Sequence, residues 1–552
     1  MSLITTLASA QTDGFLKTAD RFFDEYYFPF NPPTATASGI HKYDSQLEDY
    51  SKAGVTKRTA ALKKWESEFA KLPASPDRDL VLNSIRDGLL ELETIRMWQR
   101  NPDGYSSGIT NSAFVIMSRT FASPEERIKA LTERERLMPQ VLADSRANLK
   151  NPPRIYTEVA IEQLPGNISL FENDVPLAFK AVTDPKLLAD FHAANNAVIA
   201  ALREYGTWLK SDLLPHSQGD FRLGAANFSK KLQLEEMVDI PLARLLEIGY
   251  QDLRANQKRF AETAARIDPA KTPRQILSEI EKDHPAGDGL LAAFRDTLGG
   301  LKDFIEAHKI VTIPSEVPPI LEETPPFMRA LTSASMDTPG PYETVAKEAF
   351  FNVTLPEKGW PADRVEDYMR SFHRGVILST AIHEAYPGHY VQFLWMQHVD
   401  SRVRKLLGAS SNSEGWAHYS EQMMLDEGFA ANDLRMRLGQ LQDALLRNAR
   451  FIVGIEMHAG KRTFDQGIEF FEKEGYQTHE NSVRETKRGT SDPTYLYYTL
   501  GKLQILKLRE DYRKLKGASF SLQEFHDSFM KQGYPPIKIV RRALLGDDSP
   551  TL

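Results

Sequence analysis

The chain has 552 residues, a net charge of −7 and no cysteine, with 41% hydrophobic and 26% charged residues. This is the composition of a globular protein with a large core, and its acidic balance offers no basic face for nucleic acid. Without cysteine the chain has no disulfides and no thiolate ligands, so a metal ion would have to be bound by His, Asp or Glu.

The first 13 residues, MSLITTLASAQTD, lack the basic start and the long apolar run of a signal peptide. They do contain ASAQ, which is like the small-residue site at which a signal peptide is cleaved. We therefore expect an exported, periplasmic protein whose signal peptide has been removed, with a cytoplasmic location as the alternative. No stretch approaches the ~20 uncharged apolar residues of a membrane-spanning helix.

Apolar residues at three-to-four spacing predict helices along most of the chain. The predicted helices lie at 13–30, 123–149, 184–214, 241–267 and, in pieces, 482–517. One of them opens with Ser123 at its N-cap and glutamates in its first turn. Long helices in succession without alternating strands predict a mainly α fold. No linker, repeat or charge block divides the chain, so we expect a single domain over residues 1–552.

Strand signals are few. Residues 216–224 could form a short strand or hairpin, and residues 348–356 (EAFFNVTLP) alternate in polarity and are rich in β-formers. In the second segment, Asn352 could present edge hydrogen bonds to an extended peptide, although a plain surface hairpin would also explain the pattern. The Pro-rich stretch 313–341 is either an ordinary loop or the rim of a cleft.

The motif HEAYPGH places two histidines, His383 and His389, six residues apart, with Glu384 beside the first. In an ideal helix this spacing would leave the histidines about 120° apart, too far to bind one ion. Pro387 and Gly388 could supply a widened turn that brings them together, with Glu384 as the base beside a bound water. The alternative is a pair of packed or solvated histidines.

A third ligand is predicted 25 residues after the second histidine, at Glu414. Ser411 and Ser413 are possible caps for a helix that carries it. Glu414, His418 and Glu421 would share one face of this helix. An exposed glutamate stripe is the alternative explanation, but two His and one Glu also form the three-ligand set that leaves a position for water.

Further along, His458 and a cluster of tyrosines offer hydrogen-bond donors for an oxyanion. The cluster consists of Tyr495, Tyr497 and Tyr498, any of which could be the catalytic donor, as could His458, and Tyr495 could also contact the substrate. Tyr390, next to the second histidine, is interpreted as a further substrate contact. Judged alone, each of these residues fits an aromatic core better than a catalytic role.

The two central motifs resemble a known family. HEAYPGHY, from His383, resembles the signature HEAYPGHH of the bacterial family called domain of unknown function 885, and EGWAHYSE, from Glu414, is similar to its second motif, EGWALYxE. Similar patterns occur at 39–51, before the first motif at 350–356, at 450–458 and near the C-terminus, so the resemblance covers most of the chain.

This resemblance implies a helical, two-lobed fold akin to zinc peptidases such as angiotensin-converting enzyme and thimet oligopeptidase. It implies His383, His389 and Glu414 as ligands, Glu384 as the base, and substrate or oxyanion contacts from His458 and Tyr498. The sequence departs from the family pattern at two positions. Tyr390 stands where the signature has its second adjacent His, and Gly454 stands where an Asp is usual, which puts an orienting partner of the site in doubt.

Together these observations predict a mainly α, two-lobed fold with a deep central cleft lined by a few short strands, with lobes at about 1–310 and 311–552. The predicted function is zinc-dependent hydrolysis of short peptides at one Zn²⁺ ion. The alternatives are a zinc-dependent amidase or esterase acting on a small metabolite, and an inactive helical binding protein. We expect a peptide or small amide as the partner, and no nucleic acid.

Overall fold

The computed structural model describes residues 14–329 and 332–552 and is mainly α-helical, with one small sheet, which confirms the predicted fold class. The cleavage-like segment ASAQ lies outside the described residues. Within the described ranges, no helix is both long and apolar enough to cross a bilayer.

The chain divides into two compact units. The first consists of the described residues of Met1–Phe221, Pro325–Ala330 and Pro339–Glu348, and the remainder of the described chain forms the second. The division falls after Phe221 and not near residue 310, because the helices between these points pack with the second unit.

The first unit is helical throughout and has its own apolar core. Residues 14–22 are helical, and the later α-helices are Phe28–Phe30, Pro32–Ala37, Lys52–Ala70, Pro76–Leu90, Met97–Arg100, Asp103–Met117, Pro124–Glu135, Met138–Asn148, Arg154–Ser169, Val175–Ala178 and Pro185–Trp208. Four π-helical turns adjoin these helices, at Phe23–Tyr27, Glu91–Ile95, Leu170–Asp174 and Leu209–Leu213.

Local signals account for much of this unit. Ser123 caps its helix in a capping box with Glu126, as the sequence predicts. The helix predicted at 123–149 is divided in two, and Pro139 lies in the first turn of the second piece, where a missing N–H costs nothing. The segment 216–224 forms no strand among the described residues beyond a single bridge between Gly219 and Pro153.

The second unit holds the candidate site and a separate core. Its α-helices are Ala225–Glu235, Leu242–Ile267, Pro273–Ile280, Leu290–Ala307, Ala362–Arg370, Arg374–Glu384, His389–Met396, Arg402–Leu406, Ser410–Asp426, Leu434–His458, Phe464–Lys473, His479–Ser491, Tyr497–Lys516, Leu522–Met530 and Ile537–Leu545.

Four helices of this unit carry most of the site and are named here by their main functional side chain. They are the histidine helix (Arg374–Glu384), the glutamate helix (Ser410–Asp426), the arginine helix (Leu434–His458) and the tyrosine helix (Tyr497–Lys516).

Paired glycines bring these helices into backbone contact. A Cβ added to Gly415 of the glutamate helix would lie 2.5 Å from the Cα of Gly501 in the tyrosine helix. A Cβ added to Gly439 of the arginine helix would lie 2.4 Å from the Cα of Gly375 in the histidine helix. Real Cβ atoms do not approach this closely, so only glycine fits at either crossing.

The sheet has three strands, β1 (Ile320–Glu323), β2 (Ala334–Asp337) and β3 (Phe350–Val353), in the order β1-β3-β2. β3 pairs in parallel with β1 and antiparallel with β2. The strand predicted at 348–356 is therefore present. Two further strands lie in the Pro-rich stretch, which we expected to be irregular.

An aromatic cluster supports the glutamate helix from behind. The buried imidazole of His526 donates from Nδ1 to the Ile310 carbonyl (2.7 Å) and accepts at Nε2 from the Tyr419 hydroxyl (2.9 Å). Its ring lies edge-on to Trp416, with centroids 5.0 Å apart. Burial lowers the pKa of His526 to about 3, because an imidazolium here would have no water around it.

This buried histidine predicts acid sensitivity. Between pH 6.5 and 3 the unfolded chain is protonated at His526 and the folded chain is not. As the pH is lowered through this range, the free energy of unfolding therefore decreases by about 1.4 kcal/mol per pH unit. His526→Asn, which can still donate to Ile310, should lower stability at pH 7.5 but flatten the dependence between pH 6 and 4 by that slope. Urea unfolding at a series of pH values measures both effects.

His192→Asn, at an exposed histidine, is the control and should leave the slope unchanged. An equal slope in the wild type and His526→Asn would contradict the prediction.

Candidate metal centre

The histidine helix ends in a widened turn. It stops at Glu384, and the next helix begins at His389. Across the gap, the Gly388 N–H donates to the Ile382 carbonyl six residues back (3.0 Å), whereas an α-helix would bond four residues back. The extra residues fold into this turn, and the rings of His383 and His389 come together with centroids 4.8 Å apart.

Two contacts fix the turn. Gly388 is required for space, because a Cβ there would lie 1.8 Å from the His383 carbonyl oxygen. From the glutamate helix, the Trp416 indole N–H donates to the Pro387 carbonyl (2.8 Å). The second motif therefore holds the first in place.

Three donor atoms converge beside this turn. Nε2 of His383 lies 3.3 Å from Oε2 of Glu414, and Nε2 of His389 lies 3.2 Å from the same oxygen. Among the described residues, these three are the group of His, Asp and Glu able to hold one ion, with all ligand atoms within 4.8 Å of one another. The structure thus brings together the three residues predicted as ligands.

The geometry of this cluster fits a divalent metal ion such as Zn²⁺. Ligands 2.0–2.1 Å from a tetrahedral ion lie about 3.3 Å from each other, which is close to the two nitrogen–oxygen distances here. Two imidazoles and a carboxylate are also ligands that zinc accepts, and three protein ligands leave a fourth position open.

The charges of the cluster are strongly coupled. Burial raises the pKa of the Glu414 carboxyl, but the imidazoles of His389 and His383 outweigh burial and hold the pKa well below its usual range. Burial lowers the pKa of His383, but its hydrogen bonds to Glu414 and Glu421 outweigh burial and raise the pKa to about 9. The imidazoles and the carboxylate therefore stabilise one another's charged forms.

Glu421 orients the first histidine. Its carboxylate accepts from Nδ1 of His383 (2.7 Å), so that Nε2 of the same ring points to Glu414. It also pairs with Arg447 of the arginine helix (2.8 Å) and accepts from Nδ1 of His418 (3.0 Å). The orienting carboxylate that we expected to be missing with Gly454 is therefore supplied by the glutamate helix.

Gly454 itself has a packing role. A Cβ at this position would lie 2.8 Å from the ring of Tyr495, so an Asp would not fit without movement of that ring.

The start of the glutamate helix is held by a distant residue. Neither Ser411 nor Ser413 caps it, since the helix begins after Ala409 with no side-chain cap. Instead the buried carboxylate of Glu236 accepts from the Ser411 N–H at 3.2 Å to each oxygen. A carboxylate suits the positive end of the helix dipole.

A cavity of about 550 Å³ opens over the three ligands. Its lining residues all belong to the second unit, whereas we expected a cleft between lobes. Glu384, which is 7% exposed, lines the cavity, as do Tyr498 and β2 residues from Ala334 to Met336. The candidate base therefore faces the same space as the ligands.

Tyr498 lies against the first ligand. Its ring stacks on that of His383, with centroids 6.0 Å apart. Its hydroxyl oxygen accepts from Nη2 of Arg488 (3.1 Å), which leaves the hydroxyl proton free to be donated. Arg450, held by Glu485 in a bidentate pair, lies 4.7 Å from the ring centroid.

Two other predicted residues lie in the core. His458 accepts at Nδ1 from the Leu223 N–H (3.4 Å) and donates from Nε2 to the Gly489 carbonyl (2.8 Å), so both ring nitrogens are used. Tyr495 is fully buried and packs on Gly454. Neither lines the cavity.

The remaining predicted contacts are also placed elsewhere. Tyr390, 2% exposed, donates its hydroxyl to the Val317 carbonyl, which leaves His389 as the member of the pair that faces Glu414. Asn352 is buried in β3, the central strand, where both edges are paired, so it offers no free edge to a peptide.

Several residues in and around the site were not assigned a role from the sequence. Glu421 lies two turns after Glu414, and this spacing alone could have indicated its role. Arg484 and Arg488 lie one turn apart in the His479–Ser491 helix and both line the cavity. β2 had no recognisable signal, because Ala, Ser and Met are not strong strand formers.

The fold and this cluster define a mainly α protein with a candidate His₂Glu metal centre. The chain belongs to a family of bacterial proteins of unknown function, DUF885, whose profile matches residues 32–544. No curated protein matches this chain.

Two solved structures are similar to this chain. A predicted lipoprotein of unknown function from Shewanella oneidensis is 26% identical, with a TM-score of 0.78 over 96% of this chain and 99% of that one. A predicted lipoprotein from Colwellia psychrerythraea shares the fold, at 17% identity and a TM-score of 0.79 over 96% and 98% of the two chains.

The ligand set predicts a loss of metal on substitution. Glu414→Ala should bind less than about a tenth of an equivalent of zinc, because two histidines alone would leave the ion without a carboxylate ligand. Equilibrium dialysis followed by elemental analysis measures this. Glu427→Ala, at an exposed residue just beyond the same helix, is the control and should keep wild-type zinc. Stoichiometric zinc in Glu414→Ala would refute the assignment.

Proposed function

We propose that the protein is a zinc-dependent hydrolase that cleaves short peptides. The proposal is carried by one observation: His383, His389 and Glu414 present their ligand atoms to one point, on the wall of a cavity that Glu384 also lines. The proposal includes the kinship with helical zinc peptidases that the motifs imply.

Glu384 is the proton carrier in this proposal. When bound, Zn²⁺ supplies Lewis acidity that lowers the pKa of water and polarises a carbonyl. The Glu384 carboxylate takes a proton from the attacking water and returns it to the nitrogen of the leaving amine, so that acid and base are one group. His383 is oriented for metal binding by the hydrogen bond from its Nδ1 to the Glu421 carboxylate.

Tyr498 is the candidate donor to the oxyanion. Because Arg488 already donates to its oxygen, the hydroxyl proton of Tyr498 can point into the cavity. His458 has no part in this step, since its ring nitrogens are occupied in the core.

A peptide substrate is favoured by the strand beside the site. β2 is an outer strand of the sheet and contributes Ala334, Ser335 and Met336 to the cavity wall. An extended peptide can add to such an edge through backbone hydrogen bonds, whereas a small metabolite would gain nothing from it. A cavity of about 550 Å³ holds a few residues and not a folded protein.

We further propose that the protein is exported. Support comes from two similar solved structures, each of a predicted lipoprotein.

The function itself predicts chelator-sensitive peptide hydrolysis. The purified protein should cleave members of a short-peptide panel, lose this activity with a chelator and regain it with zinc. Cleavage of acyl esters but not peptides would instead favour an esterase, and no uptake of zinc would favour a binding protein.

Glu384→Gln should lower kcat by roughly 10²–10⁴, the usual contribution of a general base. Its zinc content should equal that of the wild type, because Glu384 is not a ligand here. Steady-state kinetics and elemental analysis on the same sample test both points. Loss of the ion would make Glu384 a ligand, and retained turnover would remove it from catalysis.

Tyr498→Phe should lower kcat by ~10²-fold or more if the hydroxyl meets the oxyanion. The matched control is Tyr497→Phe, because the neighbouring hydroxyl donates to Asp492 (2.8 Å) and Tyr497 does not line the cavity. Equal kcat values for the two variants would return Tyr498 to a packing role.

A further inference from the structure

Four arginines line the cavity on the side of the arginine helix and of the His479–Ser491 helix. Three of them are paired with carboxylates, Arg447 with Glu421, Arg450 with Glu485, and Arg488 with Asp492. Their charges are thereby neutralised within the protein.

The fourth, Arg484, differs from these three. It is half-buried. Its charge helps to lower the pKa of the Glu485 carboxyl, but no carboxylate in the part of the chain that the structure describes forms an ion pair with it. Its guanidinium lies 5.5 Å from the centroid of the Tyr368 ring. A cation–π contact of this kind fixes the group while leaving its N–H donors free for an anion.

We propose that Arg484 forms an anion subsite of the cavity that binds a carboxylate group of a short peptide substrate. This inference rests on the proposed peptidase function and adds the substrate class. A carboxylate is the planar anion that a guanidinium binds through two parallel hydrogen bonds.

The position of Arg484 fits such a subsite. It lies one helical turn, about 5.4 Å, from Arg488, and Arg488 contacts Tyr498, whose ring stacks on His383. A carboxylate at Arg484 would therefore be close enough to the ligands to belong to the same short peptide whose backbone is cleaved.

The carboxylate could come from the peptide C-terminus or from an acidic side chain. Three matched substrates separate these sources: an N-acetylated peptide as the free acid, the same peptide as the C-terminal amide, and an amide that carries one glutamate. Preference for the free acid alone indicates the C-terminus, and preference for the glutamate-containing amide indicates a side chain.

The test compares the wild type with Arg484→Gln. The wild type should show a kcat/KM about 10- to 100-fold higher for a carboxylate-bearing peptide than for the neutral amide, as expected for a charged hydrogen bond. Arg484→Gln should lose this preference and keep the wild-type kcat/KM on the neutral amide. Arg364→Gln is the control, because Arg364 also lies over an aromatic ring, Trp360, but is outside the cavity.

A binding measurement separates this inference from the proposed function. Calorimetric titration of the free acid and the amide into Glu384→Gln protein, with and without Arg484→Gln, needs no hydrolysis. Binding of the acid that depends on Arg484, without hydrolysis by the wild type, would support the subsite and overturn the peptidase. Hydrolysis or binding with no carboxylate preference, or a preference retained in Arg484→Gln, would overturn the subsite.

Discussion

The site depends on one backbone hydrogen bond, from Gly388 N–H to the carbonyl of Ile382. It closes a turn six residues wide and so cancels the angular separation that six helical steps would give to the two histidines. Placing proline and glycine in a helix interior costs about 3 and 1 kcal/mol, which this chain avoids by ending one helix and starting another. Trp416, on a separate helix, ties the same turn to the carboxylate ligand.

Around this turn the buried charges are arranged in pairs. Glu421 is fully buried, which would be unfavourable for a lone carboxylate, but Arg447 and two imidazoles surround it. A further buried ion pair, between Arg450 and Glu485, lies next to this group. A network of this kind fixes ring orientation more than it adds stability, because the desolvation of each ion offsets much of its attraction.

The sequence predicts the convergence of His383, His389 and Glu414 where the signal is local. The spacing from His383 to His389, with Pro-Gly between, indicates a turn whatever the rest of the chain does, and the carboxylate at Glu414 lies where the second helix returns. The mainly α class follows equally from helical periodicity. These predictions rest on properties of short segments, and tertiary packing did not change the local structures that the segments favour.

Prediction is poorer where distant packing decides. His458 and Tyr390 are chemically suitable, but their partners, the Leu223 N–H and the Val317 carbonyl, come from remote loops. Asn352 lies in a strand as expected, yet the strand order puts that strand in the centre of the sheet. The first turn of the glutamate helix is likewise satisfied by Glu236, 175 residues away, and not by its own serines.

The glycine crossings tie residues of the site together in pairs. Gly415 against Gly501 puts the helix of Glu414 in main-chain contact with the helix of Tyr498, and Gly375 against Gly439 does the same for the helices of His383 and Arg447. A methyl group added at any of these four glycines would have to push two backbones apart. A substitution at one of them would therefore disturb the candidate site without removing any of its side chains.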